Sequence, residues 1–146
     1  GQYIHHLISG NYRFTDIQAD LGINQLKQIS KFLSQRIKIS NEYKNKIKTL
    51  TFQKTPDFVT THTNMLFFAF SENKDKRDQN LKSLRDNGID ARLPYMPIQS
   101  QPCNSELANI DAPNSNLIYE RAFTLPIFNN MTDDECNLVI DCCNKL

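Results

Sequence analysis

Apolar residues at Ile17, Leu21, Leu26, Ile29, Leu33, Ile37, Tyr43, Ile47 and Leu50 recur mostly in steps of three and four. That spacing lays a single stripe along a helix that faces a core. Thr15 opens the run with a capping box: its hydroxyl can cap the helix, and Gln18 can reach back to the Thr15 N–H. The pattern lasts about ten turns, longer than a globular helix usually runs, so it predicts a break near Ser30. The opposite face carries Lys27, Lys31, Lys38, Lys44, Lys46 and Lys48, as a solvated helix face does.

After Leu50 the texture changes. "TFQKTPDFVTTHTNMLFFAF" is rich in β-branched and aromatic residues, with Pro56 as a break. It predicts a short strand, a loop, and a buried strand over Asn64–Phe70 with Phe67, Phe68 and Phe70 in the core. Residues 74–87 predict a helix with Leu81 and Leu84 inward. Asn87-Gly88 closes it, glycine serving the left-handed cap. "IDARLPY" predicts a short strand ending at Pro94, and the proline-rich stretch 96–113 an ordered loop. Residues 115–123 predict a short helix, and "LPIF" a turn onto the surface. Thr132 to Glu135 form a second capping box that starts a final helix with Leu138, Val139 and Ile140 inward. The sum is an α+β chain: a long, broken helix leading into a small antiparallel sheet covered by helices.

Length and composition narrow the function classes. A chain of 146 residues suits one domain, and 39% hydrophobic with 23% charged residues is ordinary for a globular chain. A net charge of +1 is not the footprint of a nucleic-acid binder, which speaks against the rival reading of the basic helix as a nucleic-acid module. The longest apolar run, Met65–Phe70, is too short to span a bilayer, so no membrane is expected. No signal peptide opens the chain. It starts at Gly1 without a Met and reads as a piece of something longer. Cys103, Cys136, Cys142 and Cys143 form neither a zinc spacing nor a disulfide framework, and read as reduced thiols in a cytoplasm.

Four groups of residues could carry chemistry. Asn11 and Arg13 sit in Gly10-Asn11-Tyr12-Arg13, just ahead of a capped helix, where a phosphate is readily held. A helix-entry loop in which Asn11 bonds its own backbone accounts for the same residues. Arg92, Tyr95, Gln99 and Gln101 lie in a proline-stiffened loop past a strand, a place to hold a polar ligand or a plain structural turn. His5, His6 and His62 lack metal-ligand spacing. Phe67, Phe68 and Phe70 read as core. No dinucleotide, Walker, nucleophile-elbow or H-E-x-x-H motif is present, so the chain reads as a binding half.

"NYRFTDIQADLGINQL" resembles the N-x-R-(M/F)-(T/S)-(D/E)-(I/L)-x-A-x-x-G-x-x-Q-L signature of DegT/DnrJ/EryC1/StrS aminotransferases. "GIDARLPYMPIQSQP" is similar to their G-I-x-(T/A)-R-x-x-Y-x-P-x-H-x-Q-P loop, and "APNSNLIYERAFTLPIFNNMTDDE" to their ending. The resemblance implies the C-terminal domain of a fold-type I enzyme that uses pyridoxal 5'-phosphate (PLP). Such enzymes move an amino group, here expected from glutamate, to a nucleotide-linked keto-sugar for amino-sugar and polysaccharide biosynthesis. It implies that residues 1–50 are a connector loop and helix joining a cofactor domain, and residues 51–146 a small α+β domain. It implies a homodimer in which Asn11 binds the cofactor phosphate of the partner subunit, while Arg13, Arg92, Tyr95 and Gln99 face the substrate. No catalytic residue is assigned, because the Schiff-base lysine belongs to the preceding domain, and this chain alone is expected to be inactive. Gln99 stands where the motif has histidine and cannot titrate near neutrality. "GQYIHHLIS" gives no clear match to the quoted motifs. The alternative is a stand-alone, non-catalytic remnant that dimerises or binds a sugar nucleotide.

Overall fold

The computed structural model describes residues 4, 6, 10, 11 and 13–146. The predicted long helix is two. α1 spans Asp16–Leu26 and α2 spans Ile29–Lys46, with the break at Lys27-Gln28 just before Ser30. The capping box forms: the Gln18 N–H donates to Thr15 Oγ1 at 3.4 Å, and the Thr15 N–H donates to Gln18 Oε1 at 2.9 Å.

Three antiparallel strands follow in spatial order β1-β2-β3: β1 Thr51–Phe52, β2 Phe67–Phe70 and β3 Ala122–Leu125. Ala69 pairs with Phe123 and Phe67 with Leu125, so alternation puts these four on one face. They meet Ile39 and Tyr43 of α2, Ile47 just after it, Leu81 and Leu84 of α3 (Lys74–Asp86), and Cys136, Val139, Ile140 and Cys143 of α5 (Asp133–Cys143). α4 spans Pro113–Arg121 and leads straight into β3.

Several expectations change. The apolar stripe of the first helix does not reach the core over its first half. Ile17, Leu21, Leu26 and Ile29 are exposed, and α1 has no buried residue. The sheet is too small to extend under it. The strand expected over Asn64–Phe70 starts at Phe67, because buried Asn64 takes a left-handed turn with φ 46°. Of its aromatics only Phe67 is buried; Phe68 and Phe70 are half-buried on the other face. The strand expected in "IDARLPY" is a single bridge, Arg92 to Thr124. The helix expected over 115–123 ends at Arg121, and the "LPIF" turn is not on the surface. Leu125 closes β3, and both Leu125 and Ile127 are buried. In α5, Leu138 points out and Cys136, Cys142 and Cys143 take the inward places. Gly88 holds the left-handed position at φ 79°, as its C-cap role requires.

Tyr43 is fully buried. Its hydroxyl donates to Pro126 O at 2.7 Å and its ring meets Phe67 edge-on at 5.3 Å. Tyr43→Phe leaves that carbonyl unpaired and is expected to cost about 1–3 kcal/mol in urea unfolding.

The thiols are unpaired, and only Cys103 is not buried. Burial pushes the Cys136 thiol up and Cys143 up to about 12. A thiol-reactive dye at mildly alkaline pH should therefore label Cys103 in the folded protein, and all four cysteines only after unfolding. Fast labelling of Cys143 in the native state would contradict this packing.

Candidate functional site

The chain turns tightly at Asp90, where the Ala91 N–H donates to Ile89 O at 2.8 Å, and then bridges β3 at Arg92. The Thr124 N–H donates to Arg92 O at 2.8 Å and the Arg92 N–H to Thr124 O at 3.2 Å. Ile89 and Ala91 are buried, and Asp90 and Arg92 face outward together. There the Arg92 guanidinium grips the Asp90 carboxylate. Nε lies 2.9 and 3.1 Å from its two oxygens, and Nη2 lies 2.6 Å from Oδ2. The hydrogen bonds from Arg92 hold the Asp90 carboxyl below its usual range.

This pair opens onto a cavity of about 300 Å³. Pro94 and Tyr95 continue its wall on the Arg92 side. Thr124 to Phe128, with Met65 and Leu66, form the other. Tyr95, Met65 and Phe128 are exposed, so the mouth is partly apolar. Past Tyr95 the chain makes two short 3-10 turns, Ile98–Ser100 and Pro102–Leu107. Gln99 lies between these features and α4. It is buried, its Nε2 donates to Asn116 Oδ1 at 3.1 Å, and it is not among the residues lining this cavity. Gln101 is buried too.

The far wall is held by Arg36 of α2, which the sequence reading passed over. Its Nη1 donates to Asn64 O, Met65 O and Ile127 O at 3.1–3.3 Å, and its Nε donates to Asn129 Oδ1 at 3.2 Å. Asn64 is further fixed by His62 and Ser40. Its N–H approaches His62 Nδ1 at 3.1 Å, and its Nδ2 donates to Ser40 Oγ at 3.3 Å. Asp90 was missed as well, since its pairing with Arg92 depends on the turn between them.

Asn11 and Arg13 stand apart from this cavity. Both are exposed, and with Phe14 and Gln18 they line an open hollow at the head of α1. No described cavity joins them to Arg92 and Tyr95. Tyr12 and His5 lie outside the described residues. Among the described residues, no three His, Cys, Asp or Glu side chains gather to hold a metal, and no helix is long and apolar enough to cross a membrane.

A family model, the DegT/DnrJ/EryC1/StrS aminotransferase family, matches residues 1–144. GDP-perosamine synthase of Escherichia coli O157:H7 is 26% identical over 144 residues, covering 99% of this chain and 39% of that protein. GDP-perosamine synthase of Vibrio cholerae is 27% identical over 150 residues, covering 97% and 40%. The chain thus spans about two-fifths of the length of these curated relatives. DesV of S. venezuelae superposes with a TM-score of 0.82 at 20% identity, over 99% of this chain and 40% of that one. Helicobacter pylori PseC, an aminotransferase involved in the biosynthesis of pseudoaminic acid, superposes at 0.80 with 21% identity, over 94% and 38%. At such identities the likeness shows the fold, that of a region of fold-type I sugar aminotransferases.

Arg36→Met removes the donors that reach Asn64 O, Met65 O, Ile127 O and Asn129 Oδ1. It is expected to cost about 1.5–3 kcal/mol in urea unfolding. Arg36→Lys should recover only part, because an ammonium lacks the planar fork that reaches several acceptors. Full recovery with lysine would show that charge alone suffices.

Proposed function

The chain belongs to the DegT/DnrJ/EryC1/StrS aminotransferase family, and we propose that it is the C-terminal part of a PLP-dependent aminotransferase. The proposed reaction moves an amino group from glutamate to a nucleotide-linked keto-sugar, in the making of amino sugars for polysaccharide. The relatives named GDP-perosamine synthase support that substrate class. Residues 1–50 would connect to the cofactor domain, and residues 51–146 would form the small domain. None of the 11 lysines lies in a matched Schiff-base motif, so this chain by itself is assigned no activity. Its unpaired thiols fit a reducing cytoplasm.

The observation that carries the proposal lies at the head of α1. Asn11 and Arg13 are exposed beside a helix whose apolar residues Ile17, Leu21 and Leu26 are also uncovered. Among the described residues, neither Asn11 nor Arg13 has a side-chain partner. An amide donor and a guanidinium next to a helix start suit a phosphate, so these residues fit one side of the cofactor's anionic end. The bare apolar face beside them suits a second subunit of a homodimer. PLP, when bound, supplies the electron sink for amino transfer. This chain's residues would do the holding. Asn11 donates to the phosphate of the partner subunit's cofactor, and Arg13 faces the substrate from the same loop. Arg92 and Tyr95 shape the sugar end. Gln99, on the same loop, would meet the substrate, and its amide ties that loop to α4 through Asn116.

In the intact enzyme, Asn11→Ala is expected to weaken PLP binding by roughly tenfold to a hundredfold, the loss of one hydrogen bond to a charged acceptor. A complementation experiment tests the crossing of the interface. One inactive variant lacks Asn11 and the other lacks the Schiff-base lysine. Mixing them gives heterodimers in which one site carries both lesions and the other neither, so activity should return to about half per heterodimer. Mixed dimers that stay inactive would place Asn11 within its own subunit's site, or on something other than the cofactor.

A further inference from the structure

One buried turn stands behind the cavity wall. Asn64 is buried and left-handed, with φ 46°, directly before Met65 and Leu66, which line the 300 Å³ cavity. Its side-chain orientation is fixed by its neighbours. The Ser40 hydroxyl donates to Ile37 O at 2.9 Å, so Ser40 Oγ is left to accept. Asn64 Nδ2 donates to it at 3.3 Å and to His62 O at 3.3 Å. That turns Asn64 Oδ1 toward the imidazole of His62. His62 Nδ1 therefore meets two groups of one residue, both at 3.1 Å: the Asn64 N–H, a donor, and Asn64 Oδ1, an acceptor. A ring nitrogen can answer only one of them. The neutral ring with its proton on Nε2 accepts the backbone N–H. The imidazolium has a proton on both nitrogens, can only donate to Oδ1, and leaves that N–H without its acceptor.

We propose that His62 is a pH-responsive positioning residue for this cavity: its neutral ring holds the Asn64 turn and the Met65–Leu66 wall in place, and its protonation releases them. An imidazole changes charge between about pH 5 and 8, as no other ordinary side chain does. Asparagine visits the left-handed conformation when local hydrogen bonds hold it there, and the bond to His62 is one of them. From α2, Lys44 lines the small hollow beside His62, and Arg36 Nη1 donates to Asn64 O at 3.1 Å. Gln53 and Thr55 after β1, and Leu66 and Phe68, line the same hollow and bring no charge. No carboxylate lines it, so the imidazolium finds no anion there. Arg36 still holds Asn64 O and Met65 O, so the release is a shift of the wall and not its unfolding. The device stands on these bonds alone; its consequence for substrate rests on the reading of the cavity as the sugar end.

The test is an NMR titration of the protein from about pH 8 to about pH 5.5, across the range in which an imidazole gains its proton. The His62 ring, Asn64 amide and Met65 methyl signals are followed in the wild type, His62→Asn and His62→Ala, and a thermal melt checks that each is folded. In His62→Asn an amide oxygen takes the place of Nδ1 as acceptor and does not titrate. In the wild type the three signals should move with one midpoint. The protection of the Asn64 N–H against exchange should fall about tenfold at the acid end, as the loss of one hydrogen bond predicts. His62→Asn should keep that N–H protected throughout, and His62→Ala should leave it unprotected throughout. An imidazole that titrates while Asn64 and Met65 stay still overturns the proposal, as does one that takes no proton in this range. A loss of Asn64 protection with falling pH that survives in His62→Asn overturns it too. Should His62→Ala not fold, His62→Asn alone decides. None of these readouts uses catalysis, so the proposal and the aminotransferase reading, judged by the Asn11 complementation, can fail independently.

Discussion

Among the helices that cover the small sheet, α2 carries two polar anchors, Tyr43 and Arg36. Tyr43 has no exposed surface and reaches Pro126 O, while its ring packs on Phe67 of β2. A single residue therefore joins the helix, the central strand and the turn after β3. One helical face further along, Arg36 gathers carbonyls of Asn64, Met65 and Ile127. Those residues border the cavity that Asp90 and Arg92 open onto. Loosening α2 would thus disturb the core and the site together.

The same device recurs around the sheet. Three strands, one of only two residues, leave many loop carbonyls without a ladder partner. Arginines supply the donors. Arg77, itself buried, reaches Tyr119 O at 2.7 Å; Arg85 reaches Ala91 O, and Arg121 reaches Ser71 O, both at 2.9 Å. Each bond ties one element to the segment that packs beside it: α3 to α4, α3 to the Asp90 segment, α4 to the end of β2. Charged donors make such bonds strong enough to order a loop. The Asp90–Arg92 pair stands outside this role, since it is turned outward and lines a cavity.

The chain thus has two unequal faces. One presents a formed cavity with the Asp90–Arg92 ion pair on its wall. The other, at the head of α1, presents Asn11, Arg13 and an uncovered apolar stripe. Among the described residues nothing covers the second face, and it is the face proposed above to meet a second subunit.

What was legible in the sequence was what is local. Both capping boxes, the helix break before Ser30 and the left-handed Gly88 depend on residues within a few positions of one another, and each stands where its pattern put it. Asn11 and the Arg92 loop were found through motif resemblance, which is also a property of the chain alone. Other features were decided by contacts between distant segments. "AFTL" follows α4 with no turn signal, and its strand state rests on pairing with β2. Leu138 left its expected inward place because the core lies on the thiol side of α5. The stripe on α1 has near-helical spacing and no buried residue, since periodicity fixes which residues share a face but not what that face meets. The bond from Gln99 to Asn116 and the reach of Arg36 across three segments depend on tertiary approach, and no spacing along the chain encodes it.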